Sequence, residues 1–162
     1  MNIKLFLSDV DGTLTDGGMY YDDSGNELKK FHTHDGKGFE LLKKNGIKVG
    51  IITSEDTLIV TNRAKKLHVD YLYQGVEHFG KLEVAKKICK KEGIELHEVA
   101  YIGDDINCKN LLECVGLAAC PNNSQSEIKR IPNIHHLSKN GGDGAVREFA
   151  NIVLDHLKIN II

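Results

Sequence analysis

Apolar residues come in short blocks along this chain, and most blocks end in a cluster of polar ones. Residues 3–8 form the first block and run straight into Asp9-Val10-Asp11-Gly12, the layout of a buried strand that opens into a polar loop. Two strand-like pieces, residues 18–21 and 27–31, flank the turn formers Asp22-Asp23-Ser24-Gly25-Asn26, so a β-hairpin is expected there. Helical and strand patterns then alternate. A helix near 38–44 stops at Asn45-Gly46, a strand covers 47–52, a helix 55–67 and a short strand 69–73. A helix over 82–92 ends at Gly93, strands cover 99–102 and 117–120, and a last helix runs from about 144 to 157.

This alternation predicts an α/β fold, three-layered and Rossmann-like. Its mostly parallel sheet would carry helices on both faces and a hairpin flap after the first strand. No repeat, low-complexity tract or linker divides the chain, so residues 1–162 are expected to form a single domain. Sheets of this kind bind ligands beyond the carboxyl ends of their strands. Three polar clusters fall at such ends: Asp9/Asp11, Thr53/Ser54 and Asp104/Asp105. Two aspartates two positions apart at a strand end can face the same side, and Gly12 lets the chain turn away tightly. Carboxylates converging from separate strands repel one another unless a cation sits among them. Oxygen ligands without Cys or His suit a hard ion, Mg²⁺ above all.

The formal charge of −2 over 162 residues provides no basic field for nucleic acid. No apolar run approaches the roughly 20 residues that span a bilayer, and the N-terminus lacks a signal-peptide layout. A cytoplasmic setting is the expectation. Cys89, Cys108, Cys114 and Cys120 form no CxxC pair and read as reduced packing residues. The pairs His32/His34 and His135/His136 lack the spacing of a zinc site.

Four segments, in order, resemble the motifs of the haloacid dehalogenase-like phosphatases. They are Asp9-Val10-Asp11-Gly12-Thr13, Gly50-Ile51-Ile52-Thr53, Lys81 and Gly103-Asp104-Asp105, and the resemblance extends over nearly the whole chain. It implies that Asp9 attacks phosphorus and carries an aspartyl-phosphate, while Asp11 protonates the leaving oxygen and then activates water. It also implies Mg²⁺ held by Asp9, the main-chain carbonyl of Asp11 and Asp104, with Asp105 behind them orienting the lysine or a metal-bound water. Thr53 is expected to bond a phosphoryl oxygen and Lys81 to set its charge beside the nucleophile. Two positions depart from the pattern: Ser54 replaces a usual glycine, and Cys108 stands where relatives often carry an acid.

Neither the interval from Asp11 to Thr53 nor that from Thr53 to Lys81 is long enough for a folded cap. In the capless branch that the chain resembles, a neighbouring subunit encloses the site, so a homotetramer is expected, with the hairpin near the interface and the mouth. Asp16-Gly17-Gly18, Lys30-Phe31, Asp35-Gly36, the segment 69–75 and the segment 141–148 resemble the phosphatases of 3-deoxy-2-ulosonic acid biosynthesis. These act on 3-deoxy-manno-octulosonate 8-phosphate or on nine-carbon, sialic-acid-type 9-phosphates. Both substrates carry a carboxylate, for which Arg63 and Lys66, three apart on one helix, are the candidate partners. Thr33, Ser54 and Glu55 complete the candidate substrate contacts. Ser54-Glu55 followed by Arg63 and Lys66 resembles the nine-carbon enzymes, which tend to have Gly-Glu after this Thr and an Arg and a Lys on the next helix. The octulosonate enzymes tend to have a Gly-Arg pair there. The resemblance therefore implies the nine-carbon esters, with the octulosonate ester as the alternative. A non-catalytic assembly domain, like that at the C-terminus of some sialic acid cytidylyltransferases, would not need Asp9, Asp11, Lys81 and Asp104. A phospho-acceptor receiver domain has no use for Asp-x-Asp-Gly-Thr.

Overall fold

The computed structural model describes residues 2–77 and 79–159. In chain order the elements are β1 (Leu5–Ser8), β2 (Tyr20–Tyr21), β3 (Glu27–Leu28), α1 (Thr33–Lys44), β4 (Lys48–Ile52), α2 (Leu58–Leu67) and β5 (Tyr71–Tyr73). They continue with α3 (Gly80–Glu92), β6 (Val99–Ile102), α4 (Lys109–Leu112), β7 (Leu117–Cys120), α5 (Ser126–Lys129), β8 (His135–His136) and α6 (Ala145–His156). Six strands form one sheet in the order β5-β4-β1-β6-β7-β8, with every pairing parallel. β2 and β3 pair antiparallel as the expected hairpin.

The strands are buried on both faces, as a parallel sheet between helical layers requires. Phe6 points to a core with Phe39 and Leu42 of α1, Val60 of α2, and Val146, Phe149 and Val153 of α6. Leu5 and Leu7 point the other way, to Val84, Ala85 and Ile88 of α3, Leu111 and Leu112 of α4, and Ile128 of α5. The three layers follow from that alternation. From β1 the chain winds out through β4 to β5, then returns to the other flank of β1 at β6. The order therefore reverses at β1, where the register sets Ser8 opposite both Ile51 and Ile102. A crevice beyond the strand ends opens at such a reversal.

Three local features differ from the sequence expectation. α1 begins at Thr33, not near residue 38, with His32 Nδ1 accepting from the His34 amide at 3.2 Å. Gly36 and Gly38 look like helix breakers in sequence. Gly38 instead lets α1 meet α6, since a Cβ there would lie 3.2 Å from both Ala150 Cβ and Arg147 Cα. α2 starts only at Leu58, behind a Thr57 cap whose hydroxyl accepts from the Val60 amide at 3.3 Å, which leaves residues 53–57 as loop. The short α4, α5 and β8 carry too few residues to show a period. Asp35 fastens α6 to α1: its Oδ1 accepts from the Arg147 amide at 2.9 Å. Among the described residues no helix is long and apolar enough to cross a membrane.

Candidate active site

The loops after β1, β4 and β6 surround a cavity of about 340 Å³ lined by Asp9, Asp11, Gly12, Thr53, Ser54, Glu55, Asp104 and Asp105, among others. Strand register explains the meeting. Asp9 is the first residue past β1, its amide donates to the Ile102 carbonyl at 3.0 Å, and Asp104 lies two residues beyond that carbonyl. Gly12 has φ +77°, and a Cβ there would sit 2.0 Å from Asp104 Oδ2, so only glycine lets the first loop turn beneath the second carboxylate. The Gly-rich turn before α6 braces this loop from behind. A Cβ on Gly141 would lie 2.0 Å from the Gly12 carbonyl, and the Gly142 amide donates to the Thr13 carbonyl at 3.3 Å.

Behind the cavity floor lies a buried polar cluster. Lys81 Nζ is 2.8 Å from Asp9 Oδ2, with side chains 1% and 6% exposed. The Cys108 thiol donates to the same oxygen at 2.9 Å and accepts from the Tyr101 hydroxyl at 3.1 Å and from Lys81 at 3.4 Å. Asp9 Oδ1 accepts from the Val10 amide at 2.7 Å. Burial works against the Lys81 ammonium, yet the charges and hydrogen bonds of Asp9 and Cys108 together outweigh it and the lysine pKa is raised. Burial, reinforced by the Asp9 charge, pushes the Cys108 thiol up, so it stays protonated and acts as a donor. An acid at this position would add a further buried negative charge; the thiol supplies a hydrogen bond instead.

Asp104 is the most perturbed carboxyl in the site. Burial, with the Asp9 and Asp105 charges adding to it, lifts its pKa to about 7. Burial also raises Asp11, against the opposing pull of Lys29, with Glu55 and Asp9 pushing the same way as burial. Asp9 and Asp104, together with Cys108, each present a ligand atom within 4.8 Å of the others. Carboxylates this close, with one driven toward neutrality by burial and by its neighbours, form a cradle whose charge a hard dication would balance. The donor set fits Mg²⁺.

The positions singled out in the sequence divide into two groups. Asp9, Asp11, Thr53, Ser54, Glu55, Asp104 and Asp105 line the one cavity, and Lys81, from the first turn of α3, lies buried behind it against Asp9. Ser54 Oγ accepts from Asn107 Nδ2 at 3.1 Å, tying the loops after β4 and β6 together. Asp105 caps the turn that carries Cys108, accepting from the Ile106 amide at 2.7 Å, and is not bonded to Lys81. Thr33, Arg63 and Lys66 line a different cavity of about 510 Å³ between α1 and α2. Arg63 is folded over the Phe31 ring at 5.3 Å and donates to the His32 carbonyl at 3.1 Å. Sequence reasoning missed Lys29, whose ammonium lies 2.7 Å from Asp11 Oδ1 and 2.8 Å from Glu55 Oε2. Its only signal is the alternation Glu27-Leu28-Lys29, which sets Glu27 and Lys29 on one face of the strand.

Comparison with known proteins gives the same picture. Two models of haloacid dehalogenase-like hydrolases match residues 27–108 and 75–149. A 3-deoxy-D-manno-octulosonate 8-phosphate phosphatase of Salmonella typhi is 36% identical over 94% of this chain and 80% of its own length. The corresponding phosphatase of Moraxella catarrhalis, solved with magnesium, phosphate and the KDO molecule, superposes with a TM-score of 0.88 at 38% identity, covering 94% of this chain and 86% of that one. The cobalt-bound Haemophilus influenzae enzyme superposes with a TM-score of 0.87 at 32% identity, over 95% of this chain and 88% of that one. With the strand-end carboxylates and the uncapped sheet, these matches make the chain a member of the haloacid dehalogenase-like hydrolases, in their capless branch of 3-deoxy-D-manno-octulosonate 8-phosphate phosphatases.

Proposed function

We propose that this chain hydrolyses 3-deoxy-manno-octulosonate 8-phosphate through a phospho-aspartate on Asp9. The observation that carries the chemistry is the convergence of Asp9, Asp11 and Asp104 on one cavity with Lys81 buried against Asp9. An Asp9 oxygen forms a bond to phosphorus as the ester P–O bond breaks, and the Asp11 carboxyl hands its proton to the departing alkoxide. Asp11 then takes a proton from water as the water oxygen bonds phosphorus, the P–O bond to Asp9 breaks and the carboxylate is restored. Thr53 bonds a phosphoryl oxygen, and Lys81 offsets the charge gathering between nucleophile and phosphate. Asp9, Asp104 and the Asp11 carbonyl would hold Mg²⁺, which when bound neutralises the repulsion between carboxylates and phosphate dianion.

Identities of about a third along nearly the whole chain to octulosonate phosphatases favour the eight-carbon ester over the nine-carbon esters that the residues after Thr53 favour. Glu55 faces the cavity and would accept from sugar hydroxyls. Since Thr33, Arg63 and Lys66 line another cavity, a carboxylate clamp built on them would come from a neighbouring copy, in keeping with a homotetramer. The exposed Met19, Tyr20, Tyr21 and Leu28 of the hairpin supply an apolar surface for such an assembly. The test is phosphate release from the octulosonate 8-phosphate and from a nine-carbon 9-phosphate, with Mg²⁺ and with EDTA. A higher kcat/KM for the eight-carbon ester, lost in EDTA, is expected. Preference for the nine-carbon ester would reverse the substrate assignment, and a fully active monomer by light scattering would remove the borrowed enclosure.

A further inference from the structure

Lys29 is a buried cation at the site with no part in the chemistry above. It follows β3 on the hairpin, and its side chain is only 2% exposed although Leu28 and Lys30 beside it are exposed. Its ammonium meets Asp11 Oδ1 at 2.7 Å, Glu55 Oε2 at 2.8 Å and Glu27 Oε1 at 3.2 Å. The ammonium donates to Asp11 in the loop after β1 and to Glu55 in the loop after β4, and Glu27 of the hairpin itself lies within ion-pair distance without a hydrogen bond. A lysine is almost never buried unless its charge is paired, so this arrangement fixes three segments relative to one another. Lys29 stands behind Asp11 and Glu55 and does not line the cavity. The second oxygen of each carboxylate accepts no hydrogen bond from the described residues, which leaves Asp11 Oδ2 and Glu55 Oε1 for the contents of the cavity.

We propose that Lys29 is a positioning residue. It ties the proton donor Asp11 to Glu55, so the alcohol end of the substrate meets both in one fixed arrangement, and it makes the hairpin part of the leaving-group pocket. This rests on the reading of Asp11 as the proton donor. An aliphatic alcohol leaves phosphorus poorly without a proton, whereas p-nitrophenolate leaves without one and has no hydroxyls for Glu55. Loss of Lys29 should therefore fall on aliphatic esters selectively. Proton donation contributes about 10²–10⁴-fold, and misplacing a group by about 1 Å can cost about 10²-fold.

The experiment compares kcat/KM, which reports steps through the first phosphoryl transfer, for the octulosonate 8-phosphate and for p-nitrophenyl phosphate. In Lys29→Met the ratio of the two is expected to fall at least about tenfold, and Lys29→Arg, which keeps charge and donors, should recover most of it. Turnover of p-nitrophenyl phosphate on the same preparation reports the integrity of fold and nucleophile. Lys29→Gln gives the same comparison if Lys29→Met does not fold. A ratio equal to that of the wild type in the neutral variants overturns the proposal. If the wild type leaves the octulosonate ester untouched, the substrate assignment fails, and the ratio taken with an aliphatic sugar phosphate that it does hydrolyse still judges Lys29.

Discussion

Replacing Lys81 with Met tests how far Asp9 depends on its buried partner. Nζ and Asp9 Oδ2 are 2.8 Å apart, and neither side chain is more than 6% exposed. At an effective dielectric constant near 20, two unit charges at that distance attract by about 6 kcal/mol. Desolvation has already been spent in placing both groups inside, so deleting one leaves the other's cost unopposed. Removing one member of a buried pair typically costs about 3–5 kcal/mol. Lys81→Met should lose that much by urea unfolding in EDTA at neutral pH, and Asp9→Asn should lose less, since the amide still accepts from Lys81. The double variant should recover part of the loss, with a coupling energy of about 2–3 kcal/mol. In the proposed mechanism Lys81 offsets charge on the transferring phosphoryl group, so its loss should lower kcat about 10²–10³-fold. Stability losses that add to within about 0.5 kcal/mol would show that the pair is not energetically coupled and would refute the reasoning.

Gly12→Ala would force a left-handed residue to carry a Cβ into Asp104, 2.0 Å from its Oδ2. A drop in kcat/KM of about 10²-fold, with a higher Mg²⁺ requirement in a metal titration of activity, is expected; wild-type metal dependence would contradict it. Cys108→Ala strips the buried Tyr101 hydroxyl of its acceptor and should cost about 1–3 kcal/mol in urea unfolding, whereas Cys108→Ser should retain most of that stability. Burial lifts the Asp35 carboxyl to about 6, above its unfolded value, so its contribution to stability is complete below about pH 4 and is lost as pH rises through about 6. Asp35→Asn keeps an oxygen for the Arg147 amide and should remove up to about 3 kcal/mol of stability change between pH 4 and 7; superimposable pH profiles would refute that assignment.

Much of this molecule can be read from its residues because the chemistry sits where apolar runs stop. Buried strands such as 5–8 and 99–102 announce themselves as dense apolar runs, and their ends mark Asp9 and Asp104 without any knowledge of pairing. What escapes the sequence depends on packing. The start of α1 is hidden by Gly36 and Gly38, whose purpose is visible only once α2 packs against the first and α6 against the second. β8 is two exposed histidines that become a strand only because β7 offers an edge. Lys29 looks like one more solvated lysine of a hairpin until the loops after β1 and β4 close around it. Arg63 and Lys66 do share a helix, as their spacing requires, but the direction of that helix relative to the cavity is set by the sheet and not by the spacing.

The proposed mechanism requires Asp9 itself to carry the phosphoryl group. Rapid acid quench of the Mg²⁺-loaded enzyme during turnover, followed by peptide mapping, should find one phosphoryl group on the peptide that contains Asp9. Asp9→Asn should show neither the modified peptide nor phosphate release. Undiminished turnover in that variant, or a phosphoryl group on any other residue, would contradict the account.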